Sequence, residues 1–184
     1  MTDMNTNTVR KTTGTVPIPE TVTHIKLDST YRRELPKLPS GLLYLDLDPG
    51  FEVPIKKIPD KFPDTLLYLN IGSDSREIKS LPPNLIYLGL YSGNKLPQEL
   101  PSTLTYLIFF HSGSLYNLPK KLPESLTHLR ITVRDDDCDF NLIPHHVTHL
   151  ILDFYTEHNQ ETKALDNLPQ GLLKLTIEIG RAHV

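Results

Sequence analysis

The sequence predicts a repeat solenoid, mainly β, with one parallel sheet along one side of a coil. Three observations carry that prediction. A phrase of the form Pro-x-x-Leu-x-x-Leu-x-Leu recurs through the chain, clearest at Leu38–Leu47, where Pro39, Leu42, Leu45 and Leu47 occupy its positions. Its proline returns at Pro19, Pro39, Pro63, Pro82, Pro101, Pro123, Pro144 and Pro169, at intervals of 20, 24, 19, 19, 22, 21 and 25 residues. A period near twenty residues is the mark of a coil that stacks on its own copies. The last two apolar positions of each phrase are two apart, which is strand periodicity with both side chains on one face.

Taken in order, residues 1–15 are polar and are expected to form a flexible or capping N-terminus. Residues 16–179 are expected to form a single solenoid domain of eight repeats, and 180–184 a C-terminal tail. The expected strands carry the inward pairs Ile25/Leu27, Leu45/Leu47, Leu69/Ile71, Leu88/Leu90, Leu107/Phe109, Leu129/Ile131, Leu150/Leu152 and Leu175/Ile177. The eighth is expected over Lys174–Ile179, with an edge that has no obvious polar cap.

Between strands the prolines decide the conformation. Many coils carry a second apolar–proline pair upstream, as at Leu35-Pro36, Ile58-Pro59, Leu96-Pro97 and Leu118-Pro119. Proline lacks a donor, fixes φ and holds the preceding residue extended, so two of them in close succession exclude a stable helix. The return limbs are therefore expected to be extended or briefly 3₁₀, with Leu38, Leu81, Leu100 and Leu122 pointing inward. Each coil buries about four apolar side chains, worth roughly 1.5–3 kcal/mol apiece before the opposing entropy. One coil cannot fold on that, and stacking makes the array stable.

The composition narrows the functional classes. A formal charge of −3 over 184 residues, without a Lys/Arg block, does not favour nucleic acid or an anionic membrane as partner. No apolar run approaches the ~18 residues of a membrane span. The Thr/Asn-rich start lacks the hydrophobic stretch of a secretion signal, and the single Cys138 excludes an internal disulfide. A cytoplasmic protein is expected.

Strand alternation places Tyr44, Asp46 and Asp48 on the outward face. The first outward column then reads His24, Tyr44, Tyr68, Tyr87, Tyr106, His128, His149 and Lys174. The second reads Lys26, Asp46, Asn70, Gly89, Ile108, Arg130, Ile151 and Thr176, and the third includes Asp28, Asp48, Tyr91, Phe110, Asp153 and Glu178. Aromatic neighbours on one face stabilise adjacent strands, and duplication alone would copy a tyrosine. Tyrosines also supply rigid, amphipathic contact area for a protein partner. Tyr87, Tyr91, Tyr106, Ile108 and Phe110 are expected to form a solvent-facing apolar centre, with Asp28, Asp46, Asp48, Asp153 and Glu178 as a charged rim. The candidate partner-binding residues are Tyr44, Tyr68, Tyr87, Tyr91, Tyr106, Ile108, Phe110, His128 and Arg130.

Candidates for chemistry are weak. Asp135-Asp136-Asp137-Cys138-Asp139 lacks the spacing, glycine and final glutamate of a calcium loop, and it reads as a solvated linker. His128 and His149 are ladder neighbours, but no third zinc ligand is apparent near them or His145-His146. Asp46 and Asp48 share a face without a basic partner to complete a hydrolytic site. No phosphate loop or nucleophile elbow is present. Neither a metal nor a cofactor is expected, and the chain reads as a non-enzyme.

The phrase Leu-Pro-x-x-Leu-x-x-Leu-x-Leu resembles leucine-rich repeats in a proline-rich variant, over roughly residues 17–179. Two subfamilies share it: the short LPX-type repeats of bacterial effectors, and the FNIP repeats of social amoebae and giant viruses of the mimivirus group. The stretch Asp139-Phe140-Asn141-Leu142-Ile143-Pro144 is similar to the FNIP signature. The asparagine that ordinary leucine-rich repeats place three residues after the Leu-x-Leu pair is missing at Thr30, Gly50, Asp74, Gly93, Ser112, Arg134, Tyr155 and Gly180. That departure favours the FNIP-like group. The resemblance implies a right-handed leucine-rich-repeat coil and a recognition scaffold for a protein partner, a host protein if the chain is viral. Two other readings are a structural module that self-assembles into a homo-oligomer through uncapped solenoid ends, and a glycan-binding module.

Overall fold

A computed structural model describes residues 17–28, 31, 35–47, 59, 61–72, 78–91, 96–110, 118–133, 139–156, 165 and 167–181. The expected N-terminal segment 1–15, Asp48, Ile58, Asp135–Cys138, most of the turn positions that lack asparagine, and residues 182–184 lie outside them.

The repeated phrase folds the same way eight times. In every copy the proline carbonyl accepts a hydrogen bond from the N–H three residues on, from Val22 to Pro19 (3.0 Å) through Leu104 to Pro101 (3.0 Å) to Leu172 to Pro169 (3.2 Å). Pro-x-x-Leu is thus a closed turn, and its leucine points inward: Leu42, Leu66, Leu85, Leu104 and Leu126 are fully buried, as is Val147. Two successive N–H groups after the turn then bond one carbonyl of the preceding coil. Leu43 and Tyr44 both reach Thr23 O, and Leu67 and Tyr68 both reach Leu43 O. Hydroxyls brace the turns against each other, as Thr65 Oγ1 to Leu42 O (2.8 Å) and Ser125 Oγ to Leu104 O (2.7 Å). These contacts satisfy backbone groups that a proline-rich limb would otherwise bury unpaired.

Each turn launches one strand. The strands are β1 (His24–Leu27), β2 (Tyr44–Leu47), β3 (Tyr68–Ile71), β4 (Tyr87–Tyr91), β5 (Tyr106–Phe110), β6 (His128–Val133), β7 (His149–Thr156) and β8 (Lys174–Arg181). They form one eight-stranded parallel sheet in sequence order. Its register is the one the repeats predict, with Leu45 beside Leu69 and Leu88 beside Leu107. The last strand runs to Arg181, two residues past its expected end.

The core lies between the sheet and the return limbs. Leu45, Leu47, Leu69, Leu88, Leu90 and Leu107 are fully buried in it. From the limbs, Leu122 is buried and Leu38, Leu81 and Leu100 are half-buried against it. Among the described residues no α-helix occurs, and one limb carries a 3₁₀ turn, Phe140–Leu142. Asp139 caps that turn by accepting from Asn141 N (3.0 Å), while Phe140 and Ile143 enter the core.

Candidate functional site

The outward face of the sheet holds three parallel columns, because side chains two apart on each strand stand side by side. In the first column parallel register brings like residues together, and their rings stack face to face. Centroid separations run 5.6 Å (His24–Tyr44), 4.1 Å (Tyr44–Tyr68), 4.1 Å (Tyr68–Tyr87), 5.0 Å (Tyr87–Tyr106), 5.2 Å (Tyr106–His128) and 4.2 Å (His128–His149). The planes deviate by 9° to 24°. At the strand spacing of about 4.8 Å the stack spans roughly 29 Å.

Burial in this stack raises the pKa of Tyr44, Tyr68 and Tyr87. Tyr68 lies far above the usual phenol range, by desolvation and by hydrogen bonding with Tyr87 and Tyr44. Tyr87 is pushed up to about 12, chiefly by desolvation. Tyr44 is raised by burial and by the carboxylate of Asp46. The histidines at the ends are held differently: each Nδ1 lies 2.9 Å from the hydroxyl of the preceding residue, Thr23, Thr127 or Thr148. His128 is lowered by burial and by the adjacent imidazole of His149.

The middle column is buried from Asp46 to Ile108, which corrects one expectation. Ile108, expected in solvent, is only 8% exposed. The reason is geometric. A middle-column side chain has neighbours along the column and a flanking column on each side, here Tyr106 and Phe110 of its own strand. The same confinement buries Asp46 and Asn70. The charged rim is corrected in part: Asp46 and Asp153 are buried and engaged by basic side chains, while Asp28 and Glu178 are exposed.

Two polar clusters hold the buried carboxylates. Asp46 Oδ2 pairs with Lys26 Nζ (2.9 Å) and accepts from the Tyr44 hydroxyl (3.4 Å), while its Oδ1 accepts from Asn70 Nδ2 (2.8 Å). The Asn70 amide leans across Gly89, where an added Cβ would lie 2.1 Å from Asn70 Oδ1. That explains a glycine in mid-strand, where it otherwise weakens the sheet. At the other end Arg130 Nε and Nη2 reach Asp153 Oδ2 and Oδ1, both at 2.8 Å, and Nη2 also reaches Glu178 Oε2 at 2.7 Å. Those hydrogen bonds and carboxylates raise the guanidinium pKa further. Its carbon sits 5.0 Å from the Phe110 ring centroid, and Phe110 stacks on Tyr91 at 4.9 Å. Lys26, Asn70 and Gly89 were missing from the candidate residues, although the places of Lys26 and Asn70 beside Asp46, and of Gly89 beside Asn70, in the second column were a readable signal.

The structure thus brings Tyr44, Tyr68, Tyr87, Tyr106 and His128 into one stack and joins Tyr91, Phe110 and Arg130 beside it, all half-buried, with Ile108 beneath them. His128 and His149 stack face to face, and His146 Nδ1 contacts Glu124 Oε2 (3.2 Å). Among the described residues no group of three or more His, Cys, Asp or Glu could hold a metal ion. Nor, among them, is any helix long and apolar enough to cross a membrane.

One strand per coil, a leucine core and a proline-turn phrase repeated eight times define a leucine-rich-repeat-like parallel solenoid. The chain is similar to the circular leucine-rich-repeat protein CroV588, with 23% identity and a TM-score of 0.47 over 89% of this chain and 32% of that one. It is also similar to YopM from Yersinia enterocolitica WA-314, with 21% identity and a TM-score of 0.41 over 89% of this chain and 48% of that one. The chain therefore spans less than half the length of either. No protein-family model and no curated protein matches the sequence.

Proposed function

We propose that this solenoid is a non-enzymatic recognition scaffold that presents the aromatic face of its sheet to a protein partner. The observation that carries this reading is the stack from His24 to His149, flanked by Tyr91, Phe110 and the Arg130 cluster. Neighbouring rings hold one another in place before any partner arrives, so little side-chain entropy remains to be lost on binding. The half-exposed rings carry hydroxyls among their edges, which suits a polypeptide surface of mixed polarity. The ring faces are occupied by each other, which leaves no flat platform for a sugar and weighs against a glycan ligand.

The Asp139–Pro144 turn, with Phe140 and Ile143 buried and Asn141 bonded to Asp139, supports reading the coils as FNIP-type repeats. A cytoplasmic protein of an amoebal host is the partner class that follows from that reading.

The test is a paired capture from amoebal lysate, wild type against Tyr106→Ala/Phe110→Ala, after equal melting temperatures have been established. A Leu142→Ala variant, altered on the opposite side, serves as control. A protein retained by wild type and by the control, and lost by the face variant, supports the proposal. Equal retention by all three contradicts it.

A further inference from the structure

The two ends of the solenoid differ. The core-facing residues of β1, Ile25 and Leu27, are 4% and 6% exposed, whereas their counterparts on β8, Leu175 and Ile177, are 39% and 41% exposed. Leu173 at 79% and Ile179 at 62% extend the same apolar row. Among the described residues no strand lies beyond β8 in the sheet.

The backbone of this edge is set for pairing. Lys174 N–H bonds Thr148 O on the β7 side (3.0 Å). Backbone groups alternate sides along a strand, so Leu175 and Ile177 direct their N–H and C=O away from β7. An edge of this kind is a template for another strand.

We infer that β8 pairs antiparallel with β8 of a second copy, about a two-fold axis at Thr176. The side chains select both the partner and the register. With Thr176 opposite itself, Leu175 faces Ile177, Leu173 faces Ile179, and Lys174 faces Glu178, each pair occurring twice by symmetry. Leu175 and Ile177 then exchange the outward backbone bonds, and Lys174 and Glu178 fall at the closer, non-hydrogen-bonded positions, where opposite charges attract best. An axis at Ile177 sets Lys174 against Gly180 and Glu178 against Thr176. An axis at Leu175 sets Lys174 against Thr176. Both leave the charges unmatched.

The competing arrangement, head-to-tail stacking of β8 on β1 in continued register, fits worse. It sets Glu178 beside Asp28 and Lys174 beside His24, and it asks Ile25 and Leu27 for apolar surface that is already buried. An isologous contact closes at two copies, whereas the head-to-tail contact would propagate. In the dimer two eight-stranded sheets become one, and their outward faces lie on the same side.

Sedimentation velocity on the full chain over about a hundredfold range of concentration, wide enough to cross a micromolar Kd, tests this. The expected species has twice the 20.9 kDa mass of the chain and no larger form. Lys174→Glu is expected to give a monomer, and Lys174→Glu/Glu178→Lys to restore the dimer. Far-UV circular dichroism confirms that each variant is folded. A monomeric wild type, a polymer that grows with concentration, or a dimer indifferent to Lys174→Glu would each overturn the proposal. Glu178→Lys also removes the Arg130–Glu178 contact, whereas Lys174→Glu leaves it in place, so the capture assay is run on the single variant and the two proposals stand or fall separately.

Discussion

The guanidinium of Arg130 grips the carboxylate of Asp153 with two parallel hydrogen bonds, Nε to Oδ2 and Nη2 to Oδ1, each 2.8 Å long. Asp153 is buried, so it depends on this fork for its charge compensation. Arg130→Lys keeps the charge but loses the planar geometry, and is expected to cost about 1–2 kcal/mol. Arg130→Met strands the carboxylate and is expected to cost about 3 kcal/mol, read from urea unfolding. Adding Asp153→Asn to Arg130→Met should return part of that loss.

Gly89 exists to make room. Gly89→Ala drives a methyl group into the Asn70 amide and is expected to destabilise by about 1–3 kcal/mol. In the background of Asn70→Ala the same substitution should cost much less. A double-mutant cycle measures the difference, and additive effects would mean that the clash is not with Asn70.

Stability should concentrate at the inward columns. Leu107→Ala, at a fully buried position, is expected to cost about 2–5 kcal/mol. Ile86→Ala, at a largely exposed one, should stay within about 1 kcal/mol of wild type. Paired chemical denaturation of the two variants checks the contrast.

The ladder titrates at both ends of the pH scale. Tyr87 has a folded pKa of about 12 against an ordinary value of 10.0, so the folded state keeps a proton that the unfolded chain releases between them. Its contribution is complete below pH 10 and is lost as pH rises through about 12. Tyr87→Phe should therefore flatten the fall of Tm over that window. His128 has a lowered pKa, so its contribution is present above 6.5 and is lost as pH falls through the depressed value. His128→Gln should flatten the acid side of the same Tm profile.

Much of this fold is legible in the sequence because periodicity is a direct record of which way side chains point. The Leu45/Leu47 spacing marks the inward face, and the prolines from Pro19 to Pro169 mark where each coil turns. The proline turn itself, with its carbonyl closed by the leucine N–H, is implied by the Pro-x-x-Leu spacing but needs the backbone to be seen. The site was less legible. Alternation separates inward from outward, yet it does not say that Ile108, Asp46 and Asn70 lie between two flanking columns and are buried there. The Arg130–Asp153 pair links the second column of one strand to the third column of the next. A reading down single columns misses such a diagonal.

Hydroxyl-radical footprinting of the protein alone and bound to a captured partner tests the proposed recognition surface most directly. Tyr68, Tyr87, Tyr91, Tyr106 and Phe110 should be protected together on binding, while Leu142 on the return limb stays as reactive as before. Protection of Leu142 with unchanged tyrosine reactivity would contradict the assignment of the aromatic face as the binding surface.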